Sequence, residues 1–104
     1  MAKTSVSSPK NVERAEYFAP GHRACQGCAE ALAVRLVLKA LGKDTIVGMA
    51  TGCLEILSSP LPLTSWRVPW IHNAYQNPAA VISGFESGRK FMMSKAKLPE
   101  QTTN

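Results

Sequence analysis

Gly21-His22-Arg23-Ala24-Cys25-Gln26-Gly27-Cys28-Ala29-Glu30 is the stretch on which the rest of this chain is organised. Pro20-Gly21 turns the backbone, two thiols follow with a two-residue spacer, and a helical pattern starts at the second of them. Over Cys28 to Leu41, Arg35, Lys39 and Lys43 recur every four positions as one polar stripe. Leu32, Ala33, Val34, Leu36, Val37, Leu38 and Leu41 fill the remainder, which predicts a helix buried on most sides. Gly42 stands where such a helix stops. Glu30 shares a face with Val34, Val37 and Leu41, so its carboxylate is expected to point inward. A first-turn carboxylate is also favoured by free amides and the helix dipole, whatever its role.

Outward from that helix the chain reads as α/β. Thr45 to Ala50 is a short, nearly uniformly apolar run, as in a central parallel strand. Thr51-Gly52-Cys53 follows at its end, and in open α/β sheets the crevice at the carboxyl ends of strands is where ligands bind. Leu54 to Leu57 suits a single helical turn. Pro60, Pro62 and Pro69 mark an irregular loop over 58–69. Trp66, Val68, Trp70 and Ile71 alternate as a short edge strand, and a second helix is predicted from Pro78 to Met93, with proline at a permitted first-turn position. Val81, Phe85, Gly88 and Met92 are its expected buried face, with Pro78 and Ile82 alongside. Tyr17 and Phe18, in the lead-in arm, are expected to pack onto the body. Two strands make an incomplete parallel sheet.

With 104 residues, of which 45% are hydrophobic and 18% charged, the chain is at most one small domain and is apolar for its size. Such a length buries only about 65% of the unfolded surface, so missing partners are implied. The net charge of +5 comes from scattered lysines and arginines with little aromatic interleaving, which argues against nucleic-acid binding. Met1 to Lys10 lacks the apolar core of a signal peptide, and no stretch approaches the roughly 18 apolar residues of a membrane span. A cytoplasmic protein is expected. Three cysteines, an odd number without an export signal, argue for metal or thiol chemistry over a disulfide framework.

Cys-x-x-Cys brings two sulfurs to one side of a tight loop, and Cys53 joins them if the strand returns it to the helix start. Three thiolates suit a zinc site completed by a histidine, or three corners of an iron–sulfur cluster. A thioredoxin-like pair with a spare third cysteine competes. Spacing alone leaves all three open.

Gly21 to Ala33, Ala50-Thr51-Gly52-Cys53-Leu54-Glu55 and Val68-Pro69-Trp70-Ile71-His72 closely resemble, in the same order, the N-terminal part of the beta subunits of the pyruvate:ferredoxin oxidoreductases, a branch of the 2-oxoacid:ferredoxin oxidoreductases. The likeness runs from about Pro20 to Gly88. It implies part of a thiamine-diphosphate-binding fold. It also implies oxidative decarboxylation of pyruvate, with acetyl transfer to coenzyme A and electrons passed to ferredoxin. By the same resemblance Cys25, Cys28 and Cys53 match three ligands of a 4Fe-4S cluster. Glu30, Cys53, His72 and Asn77 match positions facing thiamine diphosphate, with Glu30 as the catalytic candidate. A cluster close to the cofactor can take electrons from the intermediate, while the cofactor breaks the bond.

His22 is expected only to hydrogen-bond backbone, and Trp66 and Trp70 to pack. The sequence departs from the family at Ala29, where glycine is usual, and at Gln76, where glutamate is usual. The Gly-Asp-Gly segment for diphosphate and Mg²⁺, and the fourth cluster cysteine, are expected after Asn104. The resemblance thus divides the chain into an arm over 1–19, a partial cofactor-binding domain over 20–95 and a tail over 96–104. A piece of a subunit is the expectation, whether a truncated product, the product of a split gene or a remnant, inactive alone and completed by alpha-, gamma- and delta-type subunits. The alternative is a small zinc-binding or interaction module built on the three cysteines.

Overall fold

The computed structural model describes residues 12, 14–60, 62–99 and 103. Most of the arm, on which the signal-peptide reading of Met1 to Lys10 falls, and part of the tail lie outside the described residues. Helix α1 spans Ala29–Leu41, strand β1 Val47–Ala50, helix α2 Cys53–Ser58, strand β2 Trp70–Asn73 and helix α3 Pro78–Ser94. This is the predicted α/β order, with flanking helices beside a two-stranded sheet.

Helix α1 is rich in Ala, Leu, Arg and Lys, which lose little on becoming helical. It ends at Gly42, whose φ of 80° and ψ of −169° lie where a side chain is strained. Thr45 is buried and donates its hydroxyl to the Gly42 carbonyl at 2.8 Å. That bond anchors residue 45 to the helix stop, and β1 begins only at Val47, two residues later than the apolar run predicts.

β1 and β2 pair in parallel, with Val47 opposite Trp70 and Ala50 opposite Asn73. Val47 N–H to the Pro69 carbonyl at 2.9 Å and Thr51 N–H to the Asn73 carbonyl at 3.2 Å close the two ends of the ladder. Helix α3 packs across β1 and comes so near that a Cβ on Gly48 would lie 2.6 Å from Ile82 Cγ1. Glycine there permits the close approach.

The buried core is Phe18, Ala31, Leu38, Met49, Leu57, Trp66 and Val68. Phe18 comes from the arm, as expected. It pairs with Trp66 in an isolated antiparallel bridge, and the two rings meet edge to face at 5.2 Å. Ser58, fully buried, accepts the Trp66 indole N–H at 2.9 Å and donates to the Leu54 carbonyl. Trp66 therefore packs, but in the loop and not in a strand; β2 forms only from Trp70 onward.

Two expectations are corrected. α1 is not buried on most sides, because only Ala31 and Leu38 are buried, while Leu32, Leu36 and Val37 are each 54% exposed. α3 has no buried residue. Its Val81, Ile82 and Met92 are half-buried along an open groove of about 850 Å³, and Phe85 is exposed. The apolar patterns are real: β1 covers α3 at Ile82, through Gly48, and Leu32, Leu36, Val37 and Phe85 stay exposed among the described residues.

Candidate functional site

The site is built where β1 and β2 end together. Thr51 and Gly52 leave β1, Cys53 starts α2, and His72 and Asn73 end β2. Parallel pairing brings Ala50 opposite Asn73, so the Cys53 corner and the His72 strand end lie side by side. The Thr51 hydroxyl lies 2.8 Å from His72 Nε2. On the other side of the ring, Nδ1 lies 4.0 Å from Glu55 Oε1, an electrostatic contact and not a hydrogen bond. Asn73 Nδ2 is buried and finds no hydrogen-bond partner among the described residues. A buried donor left unpaired costs free energy that a bound acceptor would recover.

The cysteine loop is a turn. Cys28 N–H donates to the Cys25 carbonyl at 3.1 Å, and Gly27 has φ 69° with no positive φ at Gln26, the type II pattern that favours glycine at its third position. Cys25 is exposed, Cys28 is half-buried at the start of α1, and Cys53 is exposed; all three are free thiols. His22 Nδ1 accepts from the Ala24 N–H at 3.4 Å, the backbone role expected for it.

The remaining predicted positions are dispersed. Glu30, expected to face the interior, is exposed in the first turn of α1, because the face it shares with Val37 and Leu41 is itself uncovered. Asn77 is exposed and caps α3 through its backbone alone, its side chain making no cap bond. Among the described residues no three His, Cys, Asp or Glu side chains gather as a metal-holding group. The expected convergence of Cys25, Cys28 and Cys53 is therefore absent from this arrangement. Thiol sulfur is the donor that an iron–sulfur cluster or zinc takes. The donor chemistry fits such a centre, and the spatial arrangement of this chain does not complete one.

Sequence reasoning missed Thr51, Glu55 and Asn73 as site members. For Thr51 and Asn73, position just beyond or at a strand end was the available signal. It also missed Glu16, which sits between Arg35 Nη2 at 2.6 Å and Lys39 Nζ at 2.7 Å. Hydrogen bonds from Arg35 and then Lys39 hold the Glu16 carboxyl down to about 2. The polar stripe of α1 is thus where the arm is tied, and it is not simply a solvated face.

Among the described residues no helix is long and apolar enough to cross a membrane. No family model matches the chain. Among curated proteins it is 58% identical over 82 residues to pyruvate synthase subunit PorB of Methanocaldococcus jannaschii, covering 79% of this chain and 28% of that protein. It is 47% identical over 83 residues to the subunit of the same name from Thermotoga maritima, covering 77% and 26%. Ketoisovalerate oxidoreductase subunit VorB of Pyrococcus furiosus is 39% identical over 95 residues, covering 86% and 30%. The chain spans between 26% and 30% of the length of these relatives. Three motifs in the expected order, joined to identity at this level over most of the chain, show that it belongs to the pyruvate synthase beta-subunit family of 2-oxoacid:ferredoxin oxidoreductases.

Proposed function

We propose that this chain acts within a pyruvate:ferredoxin oxidoreductase, converting pyruvate and coenzyme A to acetyl-coenzyme A while ferredoxin is reduced. The observation that carries the reading is 58% identity to a pyruvate synthase subunit over 79% of the chain. Cys25, Cys28 and Cys53 are then its contribution to a 4Fe-4S cluster. Glu30, Cys53, His72 and Asn77 face thiamine diphosphate. The Mg²⁺ ligands, the remaining cluster ligand and the rest of the sheet come from outside these 104 residues and from alpha-, gamma- and delta-type subunits. Residues 20–95 are the cofactor-binding portion, between an arm and a tail.

Several features support this division of labour. Cys53 and His72 stand at the carboxyl ends of a parallel strand pair, where ligands bind in α/β folds. The unpaired Asn73 Nδ2 offers a donor there. Glu30 is open to a ligand in the first turn of α1. Bond breaking beside the 2-oxo carbon belongs to the chemistry that thiamine diphosphate brings when bound, and electron acceptance to that of the cluster. This chain's part is to present sulfurs from one turn and one strand end, and to line the cofactor's surroundings.

Anaerobic reconstitution with iron and sulfide, with and without the other subunits, tests the reading. Broad visible absorption that bleaches with dithionite is expected, with iron content reduced in Cys53→Ser. Colourless stoichiometric zinc would replace the reading with the zinc-module alternative, and binding of neither would overturn both. The chain alone is expected to give no pyruvate-dependent viologen reduction, because this reading places the diphosphate site outside these 104 residues; measurable reduction by the chain alone would refute that division.

A further inference from the structure

The corner that carries Cys53 is tied to β2 through His72, which the reading above uses, by Thr51 and Glu55, which it does not. Three elements meet at one imidazole: Thr51 leaving β1, Glu55 in the first turn of α2, and His72 on β2. A neutral imidazole carries a single proton, and the nitrogen that bears it is set by what faces each side of the ring. A carboxylate only accepts. The Glu55 carboxylate, 4.0 Å from Nδ1, attracts a proton carried on that nitrogen, and with the proton there Nε2 keeps its lone pair. The Thr51 hydroxyl, 2.8 Å away, then has one role open to it at that nitrogen, which is to donate.

We propose that Glu55 and Thr51 are positioning residues for His72: Glu55 holds the ring in its Nδ1–H form, and the Thr51 hydroxyl donates to Nε2, clamping the Thr51-Gly52-Cys53 corner to β2. The backbone bond from Thr51 N–H to the Asn73 carbonyl at 3.2 Å is the second strap of the same clamp. Two straps, one through backbone and one through side chains, fix where Gly52 and the exposed Cys53 stand relative to the end of β2. Any consequence of the clamp for a cluster or cofactor rests on the function proposed above; the clamp itself does not.

The full chain labelled with ¹⁵N-histidine allows the tautomer to be read by two-bond ¹H–¹⁵N correlation. Hydrogen exchange of the residue 51 amide, which donates to the Asn73 carbonyl, reads the opening of the corner. The expected result is an Nδ1–H ring at His72, switching to Nε2–H in Glu55→Ala. Thr51→Val is expected to remove the acceptor shift at Nε2 and to speed exchange of the residue 51 amide about fivefold, the factor implied by one lost hydrogen bond. Thr51→Ser is expected to restore both. The Trp66 indole N–H resonance, which reports its bond to Ser58, verifies the fold in every variant. An Nε2–H ring in the unmodified chain, or a tautomer indifferent to Glu55→Ala, would overturn the role of Glu55. Unchanged exchange of the residue 51 amide in Thr51→Val would overturn the clamp. No readout here uses iron, cofactor or turnover, so failure of the cluster reading and failure of the clamp are separate results.

Discussion

The region around Trp66 and the outer faces of α1 and α3 are both apolar, and only the first is closed. Trp66 is 6% exposed, covered by Phe18 from the arm and bonded to Ser58 at the end of α2. Leu36 on α1 and Phe91 on α3 are 54% and 60% exposed. In the first region the arm, remote in sequence, interlocks with the stretch from Ser58 to Trp66, and the buried indole and Ser58 hydroxyl are both bonded. On the helix faces, one element alone presents its apolar side. Elements become stable by burying such faces against another layer, so an apolar pattern measures a demand for cover and not its supply.

The largest expected effect falls in the closed region. Trp66→Ala should cost about 3–5 kcal/mol, read as a shift of the denaturant midpoint of the chain. A loss below 1 kcal/mol would show that the Phe18–Trp66 contact does not hold the arm. Next is the contact of β1 with α3. Gly48→Ala should cost about 1–3 kcal/mol by overpacking, since its Cβ would meet Ile82 Cγ1 at 2.6 Å and Cδ1 at 2.9 Å. Adding Ile82→Ala should relieve much of that cost, so the two changes together should cost less than their sum.

On the open face, Leu36→Gln should change stability by no more than about 0.5 kcal/mol; a loss as large as that of Trp66→Ala would erase the distinction between the regions. The smallest effect is at Glu16, which ties the arm to α1, and it is visible only as a pH dependence. Arg35 and Lys39 lower its carboxyl from 4.5 to about 2, so the folded chain holds fewer protons there than the unfolded one. The stabilisation is complete above about pH 4.5 and fades as pH falls through about 2. The stability difference between the chain and Glu16→Gln should follow that course, and a difference that persists unchanged below pH 2 would refute the ion pair as its source.

Much of the fold was legible because its signals are local. α3 was predicted over Pro78 to Met93 and forms over Pro78–Ser94, since proline at the first turn and helical spacing need only neighbouring residues. The Cys25–Cys28 turn and the Gly42 stop were legible for the same reason. β2 was misread because Trp66 and Val68 continue an alternating pattern. Both are buried, but Trp66 is engaged by Phe18 from a remote stretch and the strand starts after it. In the site, the cysteines and His72 stood out by residue type. Thr51 and Glu55 did not, because their meeting at His72 depends on how β1, α2 and β2 come together.

By itself the sequence determined the helices, the apolar run of β1, the turn between the two paired thiols and the likeness to a family, all properties of short stretches read in order. Only the tertiary structure decided which apolar faces find a partner, that Glu30 lies exposed, that Glu16 straps the arm to Arg35 and Lys39, and that Thr51 and Glu55 flank one imidazole. The reason is physical: backbone preference acts between near neighbours, whereas burial, ion pairing and side-chain hydrogen bonds depend on which remote segments share the same space.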